Sequence, residues 1–120
     1  MTHPLLDVLL AAAGGRPPAA DGSVHLLPPL TGPVDAVVTF TAHSFVVADV
    51  DERLLRSRLR PDDPGATTHA AFIAWLAEHL GGRAGQLDVV LAAPALDGPP
   101  QLDLERRDDL GQHHRVARAA

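Results

Sequence analysis

Cysteine is absent from this 120-residue chain, and so is lysine, because all 10 of its basic residues are arginine. Without cysteine there is no disulfide, no thiol nucleophile and no thiolate metal site, which fits a reducing interior. Without lysine there is no phosphate loop of the G-x-x-x-x-G-K-[ST] kind. Aromatic residues are scarce at 3%, namely Phe40, Phe45, Phe72 and Trp75, so a core must rest on Leu, Val and Ala. Positive charge is in deficit: 15 acidic residues against 10 arginines leave a formal charge of −5. Such a balance disfavours nonspecific nucleic-acid binding. Long apolar runs are missing too, since none approaches the roughly 18 residues of a membrane-spanning helix. Apolar residues still make up 46%, which argues for a folded core in a single domain spanning residues 1–120, or in a portion of a larger one.

The densest apolar segment, residues 26–50, reads LLPPLTGPVDAVVTFTAHSFVVADV. Two runs rich in Val, Phe and Thr follow a proline gate and are split by Thr41-Ala42-His43-Ser44. In the first, Ala36, Val38 and Phe40 share one face, opposite Asp35, Val37, Thr39 and Thr41. In the second, Phe45, Val47 and Asp49 oppose Ser44, Val46 and Ala48. Period-two alternation of β-branched and aromatic residues predicts a β-hairpin.

Around it, Pro4 opens a predicted helix on Leu5, Val8, Leu9 and Ala12, stopped by Gly14-Gly15. This start superficially resembles a secretory signal. No Lys or Arg precedes Arg16, however, and Asp7 interrupts the apolar stretch, so the expected compartment is the cytoplasm. Residues 24–27 suit a short strand ended by Pro28-Pro29. Asp49 or Asp51 caps a predicted helix through Arg60, carrying Leu54, Leu55 and Leu59. After the break at 61–65, Thr67 or Thr68 opens a helix to about Leu80. Its stripe is Ile73, Leu76, Ala77 and Leu80, flanked by Phe72 and Trp75. Residues 86–93 alternate Leu87, Val89 and Leu91 against Gln86, Asp88 and Val90, as a further strand does. A last helix is expected from Asp108, with Leu110, His114 and Ala117 on one side. The predicted fold class is α/β (α+β): a small mixed or antiparallel sheet with a β-hairpin, packed by three to four helices.

The residues that bear chemistry do not form a familiar pattern. Seven histidines are present: His3, His25, His43, His69, His79, His113 and His114. Helical zinc ligands come as two His four apart, whereas His69 and His79 are separated by ten positions and His113-His114 are adjacent, so no metal site is expected. His43-Ser44 pairs a base with a hydroxyl, yet neighbours in a strand point to opposite faces, and no G-x-S-x-G elbow surrounds Ser23, Ser44 or Ser57. The carboxylates at Asp62-Asp63 and Asp108-Asp109 stand where turns and caps favour Asp. Arg53, Arg56, Arg58 and Arg60 scatter around a helix behind Asp51 and Glu52, as on a solvated face, although clustered Arg also grips phosphate. Gly81-Gly82-Arg83-Ala84-Gly85 follows a helix and precedes a strand, the reverse of a dinucleotide fingerprint. Composition and spacing therefore assign no catalytic or cofactor-binding residue.

Leu27-Pro28-Pro29-Leu30 and Asp35-Ala36-Val37-Val38-Thr39-Phe40-Thr41-Ala42-His43 carry a resemblance when taken with Leu5-Leu6-Asp7 and Leu87-Asp88-Val89-Val90-Leu91. Together they resemble the N-terminal part of actinobacterial GNAT-type N-acetyltransferases. The tail, His113-His114-Arg115-Val116-Ala117-Arg118-Ala119, resembles the helix leading into the catalytic half of that family. Ala42 departs from the glycine expected in the hairpin turn. The resemblance implies acetyl-CoA-dependent acyl transfer to a small-molecule amine, with acetyl-CoA as cofactor of the full domain. The family's cofactor motif, Q/R-x-x-G-x-G/A, is matched nowhere: Arg83 leads to Gln86, Arg107 to Leu110 and Gln112 to Arg115. The expectation is a leading half that binds no cofactor by itself and is completed by the remainder of an acetyltransferase. The alternative is a small noncatalytic interaction or dimerisation domain, with a homodimer possible.

Overall fold

A computed structural model describes residues 2–85, 87–91, 97–99 and 101–119 of the chain. The alternating segment forms the expected hairpin, with β2 at Ala36–Phe40 and β3 at His43–Val47 paired antiparallel so that Val38 faces Phe45. The short strand β1, Val24–Leu27, pairs parallel with β3 in the register Val24 to Ser44. The order β1-β3-β2 makes a mixed, three-stranded sheet with β3 at its centre.

Helices cover both faces, giving a small α+β fold. On one face Phe45 and Val47 pack with Leu27, Ala36, Val38 and Phe40, covered by Leu5, Val8 and Leu9 of helix α1 (Pro4–Ala13). The other face carries Val46 with Val24, Leu26 and Val37. It is covered by Leu55 of α2 (Glu52–Ser57) and by Phe72 and Leu76 of α3 (Ala70–His79). The two faces are the two predicted by alternation. Since Leu5 belongs to this core, α1 is an integral part of the folded unit. Among the described residues no helix is long and apolar enough to cross a membrane.

Caps set where the helices begin. His3 Nδ1 accepts from Leu5 N at 3.1 Å, so its Nε2–H is left to donate to the Pro28 carbonyl at 2.8 Å, which ties α1 to the end of β1. Asp51, one of the two expected caps, accepts from Leu54 N at 2.9 Å. The helix then ends at Ser57 rather than Arg60, because the Ser57 hydroxyl donates to the Leu54 carbonyl and Pro61 disfavours a helical Arg60.

Three further departures have identifiable causes. The helix expected from Thr67 or Thr68 starts at Ala70, after a 3-10 turn over Ala66–Thr68. Thr67 is drawn into the sheet, where its hydroxyl donates to Ser44 Oγ at 2.8 Å and is fully buried. In α3 the buried pair is Phe72 and Leu76, with Ile73, Ala77 and Leu80 half-buried beside it. Phe72 is therefore central to the stripe and not a flank. The last helix, α4 at His114–Ala119, begins six residues later than expected. Asp108 and Asp109 accept from Arg106 and Arg107 side chains instead of capping it.

The expected strand at 86–93 does not form over 87–91, where the chain has no regular secondary structure and no strand partner among the described residues. Gln86, Ala92 and Ala93 of that expectation lie outside the described residues. Alternation specifies a strand only where a neighbour supplies the ladder and the buried face, and among the described residues neither is present.

The hairpin turn explains why glycine suits position 42. Ala42 has φ of 47°, in the left-handed region that a Cβ disfavours. Ala42→Gly relieves that strain at some entropic cost and should stabilise the fold by about 0.5–1 kcal/mol. Removing a large side chain from α3 has the opposite sign. Phe72→Ala or Leu76→Ala removes about 2–5 kcal/mol, against a total that for a small domain starts near 5 kcal/mol. Circular-dichroism melts should lose their cooperative transition in either variant, while His79→Ala, on the exposed side, shifts stability by under about 1 kcal/mol. A Leu76→Ala melt matching the parent would show that α3 does not cover the core.

Candidate functional site

At the His43 end of β3 the two members of His43-Ser44 diverge, as strand geometry requires. Ser44 points to the α3 face, where its hydroxyl meets Thr67 at 2.8 Å and Thr39 at 3.2 Å. Ser44 and Thr67 are 1% and 0% exposed, so this hydroxyl cluster is a buried clamp between the sheet and the 3-10 turn. Among the described residues no base reaches it, which argues against the serine as a nucleophile.

His43 points to the α1 face and meets the loop before β1. Its Nδ1 lies 2.8 Å from the Ala19 carbonyl and 2.9 Å from Asp21 Oδ1. Both partners only accept, given that Asp21 is ionised, so Nδ1 must carry the proton. The loop is held there by the backbone: Gly22 N donates to the Ala42 carbonyl at 2.7 Å, and Ser44 N donates to the Ser23 carbonyl at 2.9 Å. Asp21 Oδ1 also accepts from Ser23 N at 3.0 Å. Hydrogen bonds from Ser23, followed by the contact with His43, pull the Asp21 carboxyl down from 3.8 to about 2, so it is ionised at neutral pH.

Rings surround the imidazole. His25 on β1 stacks on His43 at 4.9 Å and on Phe45 at 5.2 Å, and Phe40 meets Phe45 edge-on at 6.2 Å. The His43 side chain is only 10% exposed, while His25 is open to solvent. Among the described residues no buried side-chain nitrogen or oxygen lacks a partner, and Nε2 of His43 has none within the protein. That nitrogen therefore keeps some contact with solvent and has no hydrogen-bond partner among the described residues.

The other candidate residues stay apart. His69 Nε2 pairs with Asp63 Oδ2 at 3.3 Å, and Asp63 Oδ1 accepts from Gly65 N at 2.9 Å, so that carboxylate shapes a turn. His79 stacks on Trp75 at 5.5 Å, and His113 stacks on His114 at 4.6 Å. Arg56 pairs with Glu52 at 3.2 Å while Arg58 sits 5.2 Å over the Trp75 ring, so the arginine run serves different neighbours and builds no phosphate grip. Arg53, Arg60, Asp62, Asp108 and Asp109 are exposed. Among the described residues no three His, Asp or Glu side chains converge as metal ligands.

An acetyl-CoA pyrophosphate would need glycine-bounded amides at a helix N-terminus. Here α1 is capped by the His3 imidazole and α2 by the Asp51 carboxylate, while α3 starts behind His69 without a glycine run. The described residues do not fit that group. Asp21 escaped the sequence reading because only the parallel pairing of β1 with β3 brings it across 22 positions to His43. Its one local signal, Asp21-Gly22 before a strand, marks a turn and no more. Compared with known proteins, the chain matches no family model, no curated protein and no solved structure.

A depressed carboxyl contributes stability above its unfolded value, and loses that contribution as pH falls through the folded one. For Asp21 the window runs from 3.8 down to about 2. Parent and Asp21→Ala should therefore differ most in melting temperature at pH 5 and converge as the pH is lowered through that window. A gap that stays constant across it would show that the carboxylate is not held by Ser23 and His43.

Proposed function

We propose that this chain is the substrate-side region of a GNAT-related N-acetyltransferase, a cytoplasmic enzyme moving acetyl from acetyl-CoA to a small-molecule amine. The observation that carries the reading is an uncovered apolar run. Leu87, Val89, Val90 and Leu91 are between 80% and 91% exposed, and Leu102 and Leu104 are 73% and 79% exposed. Folded monomers rarely leave so many neighbouring large apolar side chains in water. Such a surface suits a region completed by another body of protein, here the remainder of the acetyltransferase with its cofactor cleft. The strings Leu27-Pro28-Pro29-Leu30 and Asp35-Ala36-Val37-Val38-Thr39-Phe40, with Leu87-Asp88-Val89-Val90-Leu91, give the family its support.

The same uncovered run favours a second reading, a noncatalytic interaction or dimerisation domain. The outer edges of β1 and β2, unpaired among the described residues, add to it, since a bare edge offers a ladder to another chain.

Calorimetry and turnover separate the readings. Acetyl-CoA titrated into this chain alone should give no saturable heat. A protein in which the chain is joined to a cofactor-binding half should release CoA only when an amine is supplied. Tight cofactor binding by the chain alone, or no amine-dependent release from the joined protein, overturns the acetyltransferase reading. Light scattering that reports a stable, symmetric dimer of the chain selects the second.

A further inference from the structure

We propose that residues 87–91 of one copy add as a fourth strand to the outer edge of β1 in a second copy, and that two copies make this exchange reciprocally. The inference rests on the dimerisation reading and deepens it by naming the segment and the edge that form the contact. The donor is an apolar arm that lies against no part of its own core. Every described residue from Gly81 to Ala117 is exposed. Among the described residues, no backbone hydrogen bond joins 87–91 to the rest of the chain. Yet Leu87, Val89 and Leu91 alternate with Asp88 and Val90, the period of a strand that lacks only its ladder. The acceptor is on the same chain. Among the described residues β1 pairs with β3 alone, so its other edge offers backbone donors and acceptors to an added strand. The arm does not lie on its own β1 edge, which leaves that of a second copy.

Side chains select β1 over β2 and set the register. Val24 and Leu26 belong to the α3 face of the sheet, His25 and Leu27 to the α1 face. A parallel strand that sets Asp88 beside His25 also sets Leu87 beside Val24, Val89 beside Leu26 and Val90 beside Leu27. All four positions of β1 are then matched, apolar with apolar and carboxylate with the exposed imidazole. Matched pairs across a ladder are what stabilise a sheet. A slip of one residue sets Asp88 beside Val24 or Leu26, against the apolar face beneath α3. On β2 the one polar position is Thr39, whose hydroxyl is already engaged by Ser44 at 3.2 Å and by Thr67 at 3.5 Å. A carboxylate there would face that closed hydroxyl network. Because donor and acceptor share one chain, two copies satisfy each other about a two-fold axis, and each covers the arm that the other exposes.

The test uses the chain alone, and light scattering should report a symmetric dimer. The chain has no cysteine, so introduced thiols report on the contact without interference. His25→Cys and Asp88→Cys are single changes at exposed positions. Mixed under mild oxidation, the two variants should form a disulfide-linked heterodimer, and neither should link to itself to the same extent. Val89→Pro removes a ladder donor and should weaken dimerisation by roughly tenfold or more, with the helical circular-dichroism signal retained. Asp103→Pro, an exposed change elsewhere in the arm, should leave the dimer intact. A symmetric dimer that survives Val89→Pro and gives no mixed disulfide overturns the exchange and keeps the dimerisation reading. A monomer overturns both. In that case a disulfide confined to single molecules of the His25→Cys, Asp88→Cys double variant would show the arm closing on its own edge.

Discussion

Everything in this fold hangs on β3. All five of its residues, His43–Val47, are buried, and no other strand of the sheet shares that property. The strand is paired on both edges and covered on both faces, so Val46 and Val47 are each fully out of water on opposite sides. Burying such a side chain contributes about 1.5–3 kcal/mol. A shift of register by one residue would exchange the two faces and send His43 and Phe45 beneath α3. The chain has few aromatic residues with which to recover from such a slip, which makes the alternation in this one strand the main determinant of the architecture.

Polar groups at the open end of β3 reinforce that register. Ser44, Thr39 and Thr67 satisfy one another beneath the 3-10 turn, while His43 is satisfied by the loop before β1. A polar group buried without a partner costs about 1–3 kcal/mol. The hydroxyl network would be left partly unmade if β2 paired one residue out of place, and the His43 contacts if β1 did. The loop, the parallel strand and the hairpin are thus fixed together. The same constraint that specifies the fold holds the Asp21 carboxylate 2.9 Å from an imidazole.

What was legible in the sequence divides along the range of the interactions. The hairpin and its two faces, α1, the Asp51 cap and the existence of α3 follow from spacings of two to four residues, and the chain carries them openly. Element ends were less legible, because local side chains competed for the same backbone groups: Ser57 shortened α2, Thr67 delayed α3, and Arg106 and Arg107 took the carboxylates expected to cap α4. The run at 87–91 shows the limit of periodicity. Its alternation is as regular as that of β2, but a strand is a relation between segments, and no neighbour stands beside it among the described residues. Asp21 was illegible for the same reason, since nothing in a turn dipeptide announces a histidine 22 positions away.

His43-Ser44 then shows how one dipeptide can serve two unrelated purposes. A nucleophile and its base need side chains that converge, and consecutive residues of a strand diverge, so the pair was never suited to work together. Divergence instead isolates the two chemistries. Ser44 spends its hydroxyl on a closed network with no atom left for a ligand, which is what a structural clamp requires. His43 spends its Nδ1–H on the Ala19 carbonyl and the Asp21 carboxylate, which tie the loop before β1 to the strand. A purely structural histidine could satisfy the Ala19 carbonyl without Asp21, whose charge adds polarity to a ring already hydrogen-bonded. One strand thus carries a closed hydroxyl network on one face and a loop-anchoring imidazole on the other.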